Sequence, residues 1–360
     1  MPTSPPRLPI PFVCRIKKKM LFSMVLWMVF MPHLQCVPYL FHLGKEQAHI
    51  LLGREKIEKV LAEKKLEPKF LEKLKLIQEA REYAISKLGL NEKGGFVYYT
   101  HLDRDEIGWN VSASQTLAFE SYTWWFPIAG TVPYKGYFDK KLAQELETSL
   151  KEEGYDTRIR VIGGYSTLGW FSDPVLSPQL SWKEHRLVGL VFHELAHATA
   201  YLPGDSDLNE SYASFVEEKG MEIYYLEKEG KASKSLEDAK KDKAYRQKTL
   251  QLLSRYAKKL ESLYASVLGK EEKLNQKRNI ISEFKREVIE QNLVPKEKAE
   301  EFQKKEWNNE DFLGVLRYHS GENSFEKLFK ESGENFPKFH ESVRKLFQLS
   351  DRERKDFLKN

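Results

Sequence analysis

Cysteine is nearly absent. There are two in 360 residues, Cys14 and Cys36, which excludes a disulfide-built scaffold and any cysteine-rich zinc module. Membrane-length apolar runs are missing too. The apolar stretch MLFSMVLWMVFM, residues 20–31, has 12 residues, where a bilayer-crossing helix needs about 20. That excludes a polytopic membrane protein. No internal repeat and no long Pro- or Gly-rich linker divides the chain. Apolar residues make up 41% and charged residues 31%, the balance of a soluble globular protein with room for a sizeable core.

An excess of one charge sign is also lacking once the charges are located. The formal net charge is +5. Residues 1–35 hold Arg7, Arg15, Lys17, Lys18 and Lys19 and no acid, so the 325 residues that follow carry 53 bases against 53 acids. A basic stretch, a short apolar core and Pro32 form the layout of a secretory signal. The residues before Lys17 are Pro-rich and irregular, and translation from a later codon would leave a conventional signal. Cys36 follows directly. Cleavage before it with acylation of the new N-terminus, an ordinary signal peptide and an uncleaved anchor are the main readings; a buried N-terminal core helix is weaker, because three lysines abut the run and Pro32 stops it. Gln35 stands where a lipobox usually has a small residue. The basic excess thus belongs to the export segment and gives no reason to expect a nucleic-acid partner.

What is present is a pattern of helices around a β-rich middle. Helical spacing predicts helices near 45–65 and 67–89. FVYYTHL (96–102), WNVSAS (109–114), residues 124–138 and TRIRVIGG (157–164) read as strands. An amphipathic helix near 139–153 has Asp139 as its N-cap. Residues 228–305 are dense in Lys and Glu. A stripe of Leu250, Leu253, Tyr256, Leu260 and Leu263 reads there as a long solvated helical hairpin.

Chemistry concentrates in LVFHELAHATA, residues 190–200. His193 and His197 are i, i+4 and project from one helix face. Glu194 lies between them. This is H-E-x-x-H, in which two imidazoles hold Zn²⁺ and the Glu acts as general base. A catalytic zinc needs a third protein ligand. Pro203, Gly204 and Asp205 turn the chain, and a second helix is expected from about Leu208 with Asp207 as cap. Glu210 in its first turn closes a His₂Glu site. Glu217, seven residues on, shares that face and could orient a ligand histidine; the plainer reading is an ordinary surface Glu. Tyr165, Tyr201 and His185 are candidate donors to an oxyanion. Residues 124–138 are a candidate sheet edge for a peptide substrate, or an ordinary irregular hairpin. Asp103, Asp105, Glu106, Asp173 and Glu217 are candidate partners for a substrate amine.

HELAH followed by NESYASFVEEKG resembles the gluzincin pattern. LDRDEIGWNVSAS, WWFPIAGTVPYKGYF, YSTLGWFSDPVLS, FHELAHATAY, DLNESYASFVEEKG and WNNEDFLGVLRY occur in that order. Together they are similar to the bacterial zinc-dependent aminopeptidase family, from about Cys36 to Leu349. The resemblance implies an α+β fold with a zincin-like core, a small mixed sheet plus the H-E-x-x-H helix, and extensive N- and C-terminal helices. It also implies one Zn²⁺ per chain, a peptide substrate, and export to the cell envelope with a lipid anchor at Cys36. The family usually has cysteines before the Phe and after the Gly of FPIAG. Here Trp125 and Thr131 stand there, so a thiol or disulfide role is absent. The expected division is an export segment at 1–35, a catalytic part at 36–226 and a helical part at 227–360 packed on it. The competing reading is an envelope binding or scaffold lipoprotein that keeps a zinc site without catalysis.

Overall fold

The computed structural model describes residues 36–126, 130–164, 172–316 and 322–359. The export-segment reading of 1–35 and the candidate Tyr165 lie outside the described residues. The chain divides into two units, one ending at His49 and one running from Ile50. Helix α1 (Cys36–Leu52) spans that boundary. The helix expected over 45–65 is interrupted at Gly53-Arg54. Strand β1 (Glu55–Lys56) intervenes before α2 (Ile57–Glu63), because Glu55 and Lys56 pair with a later strand. Helix α3 (Pro68–Ser86) follows, with Pro in its first turn, where the missing N–H is harmless.

The middle of the chain forms three small sheets, where the sequence suggested one. Strands β2 (Tyr98–Thr100), β3 (Trp109–Ser114), β4 (Trp124–Phe126), β5 (Gly130–Val132) and β6 (Lys135–Tyr137) come first. Helix α4 (Lys140–Glu152), β7 (Asp156–Val161) and β8 (Val175–Leu176) follow. The first sheet, β1-β2-β8, is mixed; the second, β6-β3-β7, is antiparallel; β4 and β5 pair only with each other. The charged bend HLDRDEIG between β2 and β3 separates the first two sheets. Trp125 and Thr131 are direct cross-strand partners in the β4–β5 hairpin. The two places where the resemblance implies cysteines therefore face each other.

Alternation places Trp109, Val111 and Ala113 on one face of β3, all buried. Helix α4 packs against β3 and β7. The Asp139 carboxylate caps it, accepting from Lys141 N at 2.8 Å, as its sequence suggested.

The rest is helical: α5 (Glu184–Thr199), α6 (Ser206–Glu229), α7 (Lys234–Tyr264), α8 (Lys270–Glu290), α9 (Ala299–Lys304), α10 (Asn309–Leu316), α11 (Glu322–Glu331), α12 (Phe336–Leu346) and α13 (Asp351–Lys359). The architecture is α+β. Helices α7 and α8 form the expected hairpin. Its buried Leu253, Tyr256 and Leu260 meet Phe284 of α8 and Phe312 of α10 in a core of their own. A larger core joins α3, α5, α6, α11 and α12, with Leu74, Val191, Phe192, Tyr212, Phe325 and Phe339 fully buried. Helices α5 and α6 pack against each other within it. Among the described residues, no helix is long and apolar enough to cross a membrane.

Candidate metal centre

Helix α5 is apolar on the side that faces the core. Leu187, Val188, Val191, Leu195 and Ala196 are buried, and this fixes the rotation of the helix. His193 and His197 are thereby turned toward α6. The chain reverses through Pro203-Gly204, with Gly204 at φ +86° in the left-handed region that glycine adopts without strain. Helix α6 then begins at Ser206, and its cap is Asp205, whose carboxylate accepts from Leu208 N at 3.3 Å. This corrects the expected cap at Asp207. Asp207 already lies in the first turn, and its carbonyl accepts from the Ser211 hydroxyl.

Glu210, one turn into α6, meets both histidines. Its Oε2 is 3.4 Å from His193 Nε2 and its Oε1 is 3.5 Å from His197 Nε2. The two Nε2 atoms are 3.1 Å apart. Bond lengths of 2.0–2.1 Å and tetrahedral angles would hold zinc ligands about 3.3 Å from one another. The donor set, two imidazole nitrogens and a carboxylate oxygen, also suits that ion. The residues therefore fit a zinc ion. Among the described residues, His193, His197 and Glu210 are the one group of this kind.

Glu217 lies behind His193. Its Oε2 stands 3.0 Å from His193 Nδ1. A hydrogen bond there places a ring proton on Nδ1, so that Nε2, which faces Glu210 and His197, is the nitrogen that a metal would take. A glycine makes room for this contact. A Cβ on Gly189, one turn before His193, would stand 2.8 Å from Glu217 Oε1. One on Gly220 would stand 2.9 Å from the Phe192 ring. These two glycines let α5 and α6 approach closely. A glycine inside an amphipathic helix is the signal from which sequence reasoning could have found Gly189.

Burial opposes protonation of His193, but the hydrogen bonds to Glu210 and Glu217 outweigh it and lift its pKa to about 10. His197 moves the other way, to about 4, through burial and then the charge on His193. Glu210 is held below the usual carboxylate range, first by its hydrogen bond to His193. Without metal the pair of rings thus carries one proton more than two neutral imidazoles, and a divalent cation bound there would displace it. His197 Nδ1 is buried with no hydrogen-bond partner among the described residues.

The other candidates are placed as follows. Glu194 faces the segment after β7, where a Cβ on Gly164 would lie 3.5 Å from its Oε1. Tyr201 follows α5, 42% exposed, with its ring centroid 6.2 Å from that of His197. His185 is buried and engaged elsewhere: its Nε2 is 3.1 Å from Asp242 of α7. Asp103 is exposed beside His101. Asp173 is buried, its backbone against Gly95.

The family described as "Putative aminopeptidase" matches residues 38–358. The chain belongs to that family. Its match covers α5, α6 and every ligand candidate, and it extends through the C-terminal helices. The family name points to a peptidase. No curated protein and no solved structure matches the chain.

Proposed function

We propose that this family member is a zinc-dependent peptidase with a zincin-like core, acting as an aminopeptidase. The observation that carries the reading is the convergence of His193, His197 and Glu210 beside Glu194. A structural zinc site has no need of that carboxylate. His193, His197 and Glu210 would hold the ion, and Glu217 would fix the His193 tautomer. A zinc ion so held would supply a Lewis acid for the scissile carbonyl and acidify water. Glu194 takes a proton from the attacking water and delivers it to the leaving amine. Tyr201, exposed beside His197, is a candidate donor to the developing oxyanion.

A different strand suits the peptide better than residues 124–138. Within 124–138, β4 and β5 pair with each other and β6 forms one edge of the second sheet, whereas β7 forms the other edge and runs on to Gly164 beside Glu194. Ile162 N donates to Gly108 O at 2.8 Å. By the antiparallel alternation, Ile159 and Val161 turn their peptide groups away from β3. The Thr157 carbonyl, at the far end of this edge, is already taken by Asn308 Nδ2 at 2.9 Å. A peptide adding to β7 would lie over 159–163 with its scissile bond beside Glu194.

The test is zinc content and cleavage of free and N-acetylated peptides by the purified chain. Zinc with cleavage of free peptides is expected. A wild type without zinc overturns the metallopeptidase reading, and equal cleavage of blocked peptides overturns the aminopeptidase part. Export and lipid anchoring at Cys36 belong to the same proposal. Labelled fatty acid should enter the wild type and not Cys36→Ser.

A further inference from the structure

The position of Glu210 against the histidines depends on the short turn between α5 and α6. The backbone of α5 fixes His193 and His197 relative to each other. Glu210 is on a separate helix, and the turn 200–205 sets how far it reaches. One side chain closes that turn from inside. Asn209 is 1% exposed. Its Oδ1 accepts from Leu202 N at 2.8 Å, and its Nδ2 donates to Leu202 O at 2.7 Å. The amide thus pairs with one residue in both directions, as a neighbouring strand would. Leu202 has just left α5, so its backbone groups have no partner within the helix, although its carbonyl also accepts from Asp205 N at 3.3 Å across the turn. A side-chain amide offers a donor and an acceptor on two separate atoms, one for each of the Leu202 backbone groups. Aspartate lacks the donor, and an apolar residue lacks both.

We propose that Asn209 is a positioning residue: its two-way pairing with Leu202 sets the distance at which the adjacent Glu210 meets His193 and His197. The turn is also held from outside. Arg354 of α13 donates from Nε to Asp205 Oδ2 at 3.0 Å, while the same carboxylate caps α6. Asp205 therefore anchors where α6 starts, and Asn209 fixes the turn against the end of α5. The role is specific because the next residue is the ligand. A small rotation at Asn209 moves the Glu210 carboxylate directly, whereas Glu217, two turns on, has its own contact with His193. The inference rests on the metal reading above.

The experiment measures zinc affinity of the full chain by chelator competition for wild type, Asn209→Ala, Asn209→Asp, Glu210→Gln and the Asn209→Ala/Glu210→Gln double variant. Unfolding of each metal-free protein is followed in parallel. Asn209→Ala is expected to weaken zinc about 10- to 100-fold, the range for losing a group that orients a ligand. Asn209→Asp keeps the acceptor and should fall between; it serves as the test variant if Asn209→Ala does not fold. The double variant should bind zinc as Glu210→Gln does, because Asn209 acts through Glu210. A purely structural role would lower metal-free stability and leave the zinc affinity of folded protein unchanged, which overturns the proposal. Multiplying losses in the double variant overturn it too. A wild type that binds no zinc overturns this inference together with the metal reading, whereas wild-type-like affinity in Asn209→Ala overturns this inference alone.

Discussion

Where α8 and α10 meet the sheet, buried charges face their opposites. Lys277 Nζ of α8 is 2.5 Å from Asp156 Oδ2 and also donates to Thr116 O at 2.8 Å. The same Asp156 oxygen accepts from Asn309 N. Asn309 Nδ2 donates to Gln115 O, and its Oδ1 accepts from the Tyr264 hydroxyl. Arg158 pairs with Asp311. Where α5 meets α6, by contrast, three electron-pair donors face one another around a common point. Both clusters bring polar groups out of water at a cost. The first recovers that cost from charge pairing and joins the helical hairpin to the sheet. In the second it is met without metal by hydrogen bonds from His193 to Glu210 and Glu217, and the three donor atoms could hold a cation instead. The segment WNNED, which carries family resemblance near the C-terminus, belongs to the first kind: its residues clamp helix to sheet.

Five substitutions or conditions should separate the two regions. The largest effect is expected at Glu194. Glu194→Gln should keep stoichiometric zinc and lower kcat by about 10²- to 10⁴-fold, the usual contribution of a general acid–base group; steady-state kinetics with metal analysis checks both. His197→Ala should weaken zinc on the order of 100-fold or more, since the binding energy is shared by few ligands. Chelator competition reads it, and full zinc occupancy at low free metal would show the wrong ligand set.

At the clamp the pattern should reverse. Lys277→Ala leaves Asp156 buried without its cation and should destabilise the chain by about 3–5 kcal/mol. Zinc affinity of the folded protein should be unchanged. A Lys277→Ala chain that unfolds like wild type but loses zinc would erase the difference between the two clusters.

A further effect depends on pH. His340 of α12 is buried, accepts at Nδ1 from the Tyr212 hydroxyl at 2.9 Å and donates from Nε2 to Leu88 O at 2.9 Å. Burial pushes its pKa down from 6.5 to about 4. Between these values the unfolded chain binds a proton that the folded chain does not. Stability from this group is therefore present above about 6.5 and lost as pH falls toward 4, by about 3 kcal/mol. Urea unfolding of wild type and His340→Gln across that range should show the steeper loss in wild type. The smallest change is expected from Gly189→Ala. Its methyl would displace Glu217 from His193, and zinc affinity should drop by about tenfold, the low end for a group that orients a ligand.

Much of this was legible in the chain. The i, i+4 spacing of His193 and His197, the turn at 203–205 and a carboxylate one turn into the next helix are local patterns, and local geometry carries them into the structure. Glu217 was legible as a candidate because seven residues return to the same helix face. The Asp139 cap and the apolar stripe of α7 follow in the same way. The split of the strands into three sheets was not legible, because pairing is a long-range choice that alternation leaves open. Gly189 and Asn209 were missed for a related reason. Each acts on a partner that sequence spacing does not specify, Glu217 across the helix crossing and Leu202 across the turn.

The sequence by itself determined which residues could hold a metal and on which helix faces they lie, because a helix repeats its geometry every few residues. Tertiary structure alone decided that α5 and α6 cross closely enough for those faces to meet. It also decided which strand edge runs past Glu194, and that the charged C-terminal motif is spent on a clamp. Those outcomes depend on packing volume and close approach between distant segments, at Gly189, at Gly220 and at the Asp156–Lys277 contact. No local period records them.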